Sequence, residues 1–124
     1  KETPMKIAVS SSGSTLESDI DPRFGRAQNF IIINTDTMAL EVKENVQNLN
    51  LPQGAGIQAG KTVADLGVEA VITGNCGPKA FNVLEAAGVK IITGISGTVK
   101  DAVEKLNTGD LAYAGGPNVE GHWV

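Results

Sequence analysis

Apolar runs predict three short strands in the first half of the chain. Residues 6–9 are apolar and partly β-branched, and the serines that follow are typical of a buried strand entering a polar loop. Residues 30–34 predict a second strand, and residues 40–43 alternate between apolar and polar, which predicts a half-exposed third strand. The loop between the first two strands extends to about Gln28, and long loops in compact domains are often functional.

The second half of the chain predicts three helices that alternate with two strands. Gly54 opens the first helix and Gly67 follows its last apolar position. Pro78 suits the first position of the second helix, and Thr98 is suited to cap the third, with Asp101 three residues later as in a capping box. The predicted helices end near residues 67, 88 and 109, and the predicted strands occupy residues 68–73 and 89–93.

The order of these elements predicts the topology of one sheet. Three strands in a meander are antiparallel, whereas strands joined through helices are parallel and cross over in the right-handed sense. The order β-β-β-α-β-α-β-α therefore predicts an α/β domain with a five-stranded mixed sheet in the order 3-2-1-4-5 and helices on its faces.

The length of 124 residues fits a single domain with one modest core. Residues 1–4 precede the first strand and are interpreted as a leader or a remnant of cloning. Residues 5–111 are predicted to form the α/β domain, and residues 112–124 an irregular tail that contains glycine and proline.

Charge and cysteine content narrow the class of protein. The net charge of −4 argues against a general nucleic-acid or anionic-membrane partner, because those partners require a basic face. The single cysteine excludes an intramolecular disulfide and fits a reducing compartment. No apolar run has the length of a membrane span or of a signal segment, so the expected location is the cytoplasm.

Loops from five places along the chain are predicted to meet at one edge of the sheet. Strands one, four and five end there, and the antiparallel second strand begins there. Open α/β sheets usually bind ligands at this carboxyl edge. The converging segments are residues 10–13, 23–26, 54–56, 74–79 and 94–98.

The chemistry of that edge favours an anion. Three helix N-termini present unpaired N–H groups, and glycines allow backbone amides to approach a ligand closely. Arg23 and Arg26 add positive charge, with Lys79 as a further candidate, and an arginine fork suits an anion with several oxygen or sulfur atoms.

Several candidate residues have two interpretations. A thiolate at Cys76 would lie near a helix N-terminus, where its pKa would be lowered, but a lone cysteine is more often a small, half-buried apolar residue. His122 is either a metal ligand or a residue that holds the tail over the site, although one histidine without ligand spacing is a weak indication of a metal site. Arg23 and Arg26 either bind the ligand or pair with nearby aspartates, which are themselves expected to be turn residues. Phe24 is expected to be core and to fix the loop.

The chain resembles the dinitrogenase iron-molybdenum cofactor biosynthesis family, which includes nitrogenase cofactor carriers and the small orange proteins. The segments that carry this resemblance extend from Met5 to about Leu111. They are Lys-Ile-Ala-Val at 6–9, Asp-Pro-Arg-Phe-Gly-Arg-Ala at 21–27, Gly-Ala-Gly at 54–56, Gly-Pro-Lys-Ala-Phe at 77–81, Ala-Gly-Val at 87–89 and Gly-Thr-Val at 97–99. The segments at 21–27 and 77–81 are the most specific.

The resemblance implies a ribonuclease H-like, three-layer α/β/α fold. It also implies that the chain binds and carries or assembles an anionic metal–sulfur cluster, either iron-molybdenum cofactor-like or a molybdenum–copper sulfide, together with protein partners in assembly or transfer. Catalysis has little support, because the predicted strand ends carry serine, threonine and glycine rather than the acidic residues of a two-metal nuclease. The alternatives are a small phosphate- or nucleotide-binding domain or enzyme using the same loops, and a module that only binds partners. The oligomeric state is left open.

The candidate cluster-binding residues all lie in the five converging loops, and Cys76 and His122 are candidate metal ligands. The cluster-binding set is Ser11, Ser12, Gly13, Arg23, Phe24, Gly25, Arg26, Gly54, Ala55, Gly56, Asn75, Cys76, Gly77, Gly97 and Thr98.

Overall fold

The computed structural model describes residues 6–45, 51 and 53–119, and the eight predicted elements occur in it in the predicted order. Most elements begin or end within one or two residues of the predicted bounds, and β4 is shorter than predicted at its start. The elements are β1 Lys6–Ser11, β2 Asn29–Asn34, β3 Leu40–Glu44, α1 Ala55–Asp65, β4 Ala70–Ile72, α2 Pro78–Ala86, β5 Lys90–Ile92 and α3 Val99–Asn107.

The strands form one five-stranded sheet in the order β3-β2-β1-β4-β5, as predicted. β1 pairs antiparallel with β2 and parallel with β4, so it is the strand at which the two halves of the chain join. β2 pairs antiparallel with β3, and β4 pairs parallel with β5. The ends of β1, β4 and β5 and the start of β2 therefore lie along the same edge.

Alternation along the strands divides the core into two layers. Ala8 of β1 and Val71 of β4 face the cluster that contains the buried faces of α1 and α2. Ile7 and Val9 of β1 face the opposite cluster, which contains the buried face of α3. The sheet is therefore covered on both sides, which gives the expected three-layer α/β/α fold.

β3 departs from the prediction that it would be half-exposed. All five of its residues are exposed, including Leu40 at 42% and Val42 at 36%. β3 is an edge strand, and neither of the two core clusters includes any of its residues. The alternation of apolar and polar residues in β3 therefore reflects side chains on alternate faces of the strand, but it does not indicate that one face is buried.

The predicted cap of α3 is confirmed. The Thr98 hydroxyl accepts a hydrogen bond from the Asp101 backbone N–H at 3.1 Å, which satisfies one of the free donors in the first turn. Asp101 is also an acidic residue in that turn, where its charge is favourable to the helix dipole.

Replacing the Thr98 cap should destabilise the domain measurably. We expect Thr98→Ala to lower the free energy of unfolding by about 1 kcal/mol, because a first-turn N–H loses its acceptor. Thr98→Ser keeps the hydroxyl and should stay close to the wild type. Urea denaturation followed by circular dichroism tests both, and equal losses in the two variants would show that the hydroxyl is not what matters.

Candidate functional site

Three isolated bridges join the predicted loops at the carboxyl edge. Ser11 pairs with Ile20, Asp19 pairs with Thr98, and Arg23 pairs with Asn75. The long loop after β1 therefore crosses the ends of the strands and touches the loops that precede α2 and α3. The glycine segment at residues 54–56 opens α1, and Ala55 and Gly56 are buried there.

The loop between β1 and β2 contains a short arginine segment, residues 23–26, which we call the arginine loop. Asp21 lies just before this loop and fixes its first residue, because its Oδ1 accepts a hydrogen bond from the Arg23 backbone N–H at 3.0 Å. Asp21 is therefore a turn residue, as expected. Phe24 is 1% exposed, and its ring centroid lies 5.1 Å from that of Phe30, which confirms that it fixes the loop to the core. Arg23 is exposed and Arg26 is half-buried.

Asn45 holds the other side of the arginine loop. It follows β3 directly, and its Nδ2 donates to the carbonyl oxygens of Gly25 at 3.1 Å and Ala27 at 2.9 Å. Its side chain is buried, at 1% exposure. The sequence gives no signal for this contact, because a single asparagine after a strand is typical of an ordinary turn.

The loop between β4 and α2, residues 73–77, packs directly on the backbone before Arg23. A Cβ atom on Gly74 would lie 2.8 Å from the Pro22 Cα, so only glycine permits the observed approach. The Asn75 Nδ2 donates to the Pro22 carbonyl at 2.9 Å, and the Phe24 N–H donates to the Asn75 carbonyl at 3.1 Å. Asn75 thus links the two loops through both its side chain and its backbone.

A buried polar contact lies beneath this junction. The Ser10 hydroxyl is 2.8 Å from the Asp21 carbonyl oxygen and 2.8 Å from the Thr73 hydroxyl. Ser10 and Thr73 are both fully buried, so this contact satisfies polar groups that water does not reach. It connects the ends of β1 and β4 to the start of the arginine loop.

The serine segment after β1 mostly satisfies itself. The Ser11 side chain is hydrogen-bonded to both the carbonyl and the N–H of Gly13, at 3.0 and 3.1 Å. Ser12 is exposed, and its hydroxyl donates to the Asp19 carbonyl at 3.2 Å. Both serines therefore stabilise the loop through local hydrogen bonds, and Ser12 has the more exposed side chain of the two.

Two helix N-termini lack a side-chain cap. Gly54 precedes α1 and Gly77 precedes α2, and neither provides a side-chain acceptor for the first-turn N–H groups. α2 begins directly after the loop that contacts Pro22, so its free N–H groups lie at the same edge as the arginine loop. Uncapped N–H groups together with the helix dipole favour bound anions. Gly97 and Thr98 also lie at this edge, but there the Thr98 hydroxyl caps the helix.

Of the two interpretations of Cys76, the structure supports the small buried residue, which is buried more deeply than expected. The lowered pKa of the other interpretation is wrong. Cys76 is 1% exposed and belongs to the core cluster beneath α1 and α2. Desolvation by burial raises the pKa of the thiol from 9.0 to about 12. Its role as a metal ligand stays a prediction, and it would require this thiol to lose its proton and leave the core.

Asn118 is a residue of this edge that the sequence does not predict. Its Oδ1 accepts from the Cys76 N–H at 2.8 Å, and its Nδ2 donates to the Gly74 carbonyl and to the Asn75 Oδ1, both at 3.1 Å. Its partners lie more than 40 positions earlier in the chain, and the preceding Gly-Gly-Pro segment indicates only a turn.

The described residues contain no group of three or more histidine, cysteine, aspartate or glutamate side chains placed to hold a metal ion. His122 lies outside the described residues, so its role as a ligand stays a prediction. Cationic and amide groups, rather than a preformed set of metal ligands, therefore dominate the described part of the site.

The profile of the family described as dinitrogenase iron-molybdenum cofactor matches residues 5–109. The chain belongs to this family. The resemblance noted in the sequence is thus confirmed, and membership indicates a role related to a cofactor.

Solved structures show the same relationship. The chain is 40% identical to the apo form of the orange protein from Desulfovibrio gigas, with a TM-score of 0.91 over 93% of this chain and 97% of that one. It is 35% identical to a Thermotoga protein of the DUF35 family, with a TM-score of 0.80 over 94% and 98% of the two chains.

A relative of similar length occurs in Methanocaldococcus jannaschii. This uncharacterized protein is 28% identical over 109 residues, which cover 86% of this chain and 89% of the relative. Within the part of the chain that the structure describes, no helix has the length and apolar character needed to cross a bilayer.

The close approach at Gly74 should be sensitive to a single methyl group. We expect Gly74→Ala to lower the free energy of unfolding by about 1–3 kcal/mol, because the new Cβ forces Pro22 or its own loop to move. Gly115→Ala is the matched control, since a Cβ there would meet nothing within 4 Å. Urea denaturation measures both, and equal stabilities would contradict the tight junction.

Burial of the Cys76 thiol predicts a loss of stability in alkali. Above pH 9 the unfolded thiol ionises while the folded thiol keeps its proton, so the unfolded state binds fewer protons and unfolding becomes easier as pH rises. This one group lowers the free energy of unfolding by up to about 1.4 kcal/mol per pH unit until its folded pKa is reached.

Cys76→Ala lacks this contribution and isolates it. Unfolding free energies of the wild type and the variant should converge between about pH 8 and about pH 10.5, because other titrating groups contribute equally to both. A constant difference across that range would mean that the folded thiol is not protected from ionisation.

Proposed function

We propose that this chain binds and carries or assembles an anionic, molybdenum-containing metal–sulfur cluster at the carboxyl edge of its sheet. The observation that carries the proposal is the fixed arginine loop beside the uncapped N-terminus of α2, in a member of this family. The cluster is cargo in this proposal, either iron-molybdenum cofactor-like or a molybdenum–copper sulfide.

The cationic and amide groups of the edge have separate tasks in this proposal. Arg23 is exposed and presents its guanidinium to an anion, while Arg26 at the other end of the loop adds a second positive charge. The free N–H groups at the starts of α1 and α2 complement the outer sulfur or oxygen atoms. The remaining candidates, Ser11, Ser12, Gly13, Phe24, Gly25, Gly97 and Thr98, shape the loops that surround the cargo.

A binding protein rather than an enzyme fits these groups best. The strand ends carry serine and threonine in place of acid–base pairs, and Ser10 and Thr73 are buried in contact with each other. The proposed location is the cytoplasm, and the proposed partners are the proteins that supply and receive the cluster. A bound phosphate or nucleotide is the alternative, since the same uncapped N–H groups also suit phosphate oxygens.

Tetrathiomolybdate, alone and with copper, is the probe for this proposal. The apo-protein should form a coloured complex of fixed stoichiometry, whose Kd is measured by titration. Arg23→Ala and Arg26→Ala should each weaken binding about tenfold, because a charge-assisted contact is lost. Lys61→Ala combined with Lys105→Ala removes two exposed charges on the helices outside the five loops and should leave Kd nearly unchanged.

The outcomes separate the possibilities. Absence of any thiometallate complex would overturn the proposed function, and a saturable thermal shift with nucleotide instead would favour the phosphate alternative. Equal losses from the arginine and lysine variants would remove the arginines from the site. Loss of colour in Cys76→Ala or His122→Ala alone would assign that side chain as a ligand.

A further inference from the structure

Residues 114–119, which we call the C-terminal strap, are hydrogen-bonded to β5 and to the loop between β4 and α2. Near its start, the Ala114 N–H donates to the Ile91 carbonyl of β5 at 2.7 Å. Near its end, Asn118 makes hydrogen bonds with three consecutive residues before α2. The end of the strap at Asn118 therefore lies at the carboxyl edge of the sheet, where the proposed cargo site is.

Asn118 makes four hydrogen bonds to the loop between β4 and α2. Three use its side chain, as described above, and in the fourth its backbone N–H donates to the Cys76 carbonyl at 3.2 Å. A carboxamide is the group that fits here, because it provides both an acceptor for the Cys76 N–H and a donor for two oxygen atoms. It does so without a negative charge beside the uncapped N-terminus of α2.

The hydrogen bonds continue from Asn118 to the arginine loop. Its Nδ2 donates to the Asn75 Oδ1, and the Asn75 Nδ2 donates in turn to the Pro22 carbonyl at 2.9 Å. The contact with Asn118 therefore fixes the orientation of the Asn75 carboxamide, with its oxygen toward the strap and its nitrogen toward Pro22. Pro22 immediately precedes Arg23, whose backbone bridges with Asn75.

We propose that Asn118 is a positioning residue of the anion site, which acts through Asn75 to hold the backbone that carries Arg23. In this proposal the C-terminal strap supports the backbone of the site through hydrogen bonds. This inference rests on the proposed function for its effect on cargo affinity, but its structural part can be measured without any cargo.

Amide hydrogen exchange in the apo-protein tests the structural part. Asn118→Ala should speed exchange of the Phe24 amide about tenfold, because the loop that accepts its hydrogen bond loses three side-chain contacts. The Ile31 amide in the middle of β2 should be unchanged, which separates a local effect from global destabilisation. Asn82→Ala, an exposed asparagine on α2, is the matched control and should alter neither amide.

A double-mutant cycle tests the route through Asn75. Asn118→Ala should raise the Kd for tetrathiomolybdate about tenfold in the wild-type background and much less in an Asn75→Ala background. A purely structural role for Asn118 would give the same factor in both backgrounds.

Each result decides one point. Unchanged Phe24 exchange in Asn118→Ala, or an unchanged Kd, would overturn the inference, as would equal effects in the two backgrounds. If the wild type binds no thiometallate, the proposed function fails, and the exchange of Phe24 alone then decides whether Asn118 positions the arginine loop.

Discussion

The close contact between Gly74 and Pro22 is the constraint on which the carboxyl edge depends. A side chain at residue 74 would place its Cβ 2.8 Å from the Pro22 Cα, so the bare backbone allows the end of β4 to lie against the start of the arginine loop. The Gly74 carbonyl also accepts hydrogen bonds from the Gly94 N–H at 2.8 Å and from Asn118 at 3.1 Å. Three distant segments of the chain therefore contact this one glycine.

The topology could be predicted because each step depends on local pattern and chain direction. A meander followed by two β-α units leaves β1 in the centre, and that order places Arg23 and Asn75 at the same edge before any contact is known. The exposure of β3 could not be predicted in this way. Alternation in a strand does not show whether a helix covers it, and Leu40 and Val42 are exposed and belong to neither core cluster.

The rest of the site depends on contacts that leave no local signal. Asn45 and Asn118 each hold a loop through their carboxamides, yet each is typical of a turn in the sequence. Cys76 shows a local pattern that allows two interpretations, which only the packing decides. A thiol near a helix N-terminus could have a lowered pKa, but Cys76 lies in the core, where desolvation raises its pKa.

The kind of binding that this edge offers bears on the proposed role as a cluster carrier. A cargo held by several metal–ligand bonds exchanges slowly, whereas one held by amide donors and guanidinium charges can be released when a competing surface offers stronger ligands. The described residues offer no cluster of metal ligands, and they do offer Arg23 on a loop fixed at both ends. Rigid loops reduce the entropy lost on binding, so moderate individual contacts can still hold a polyvalent anion. A site of this kind suits delivery better than permanent retention.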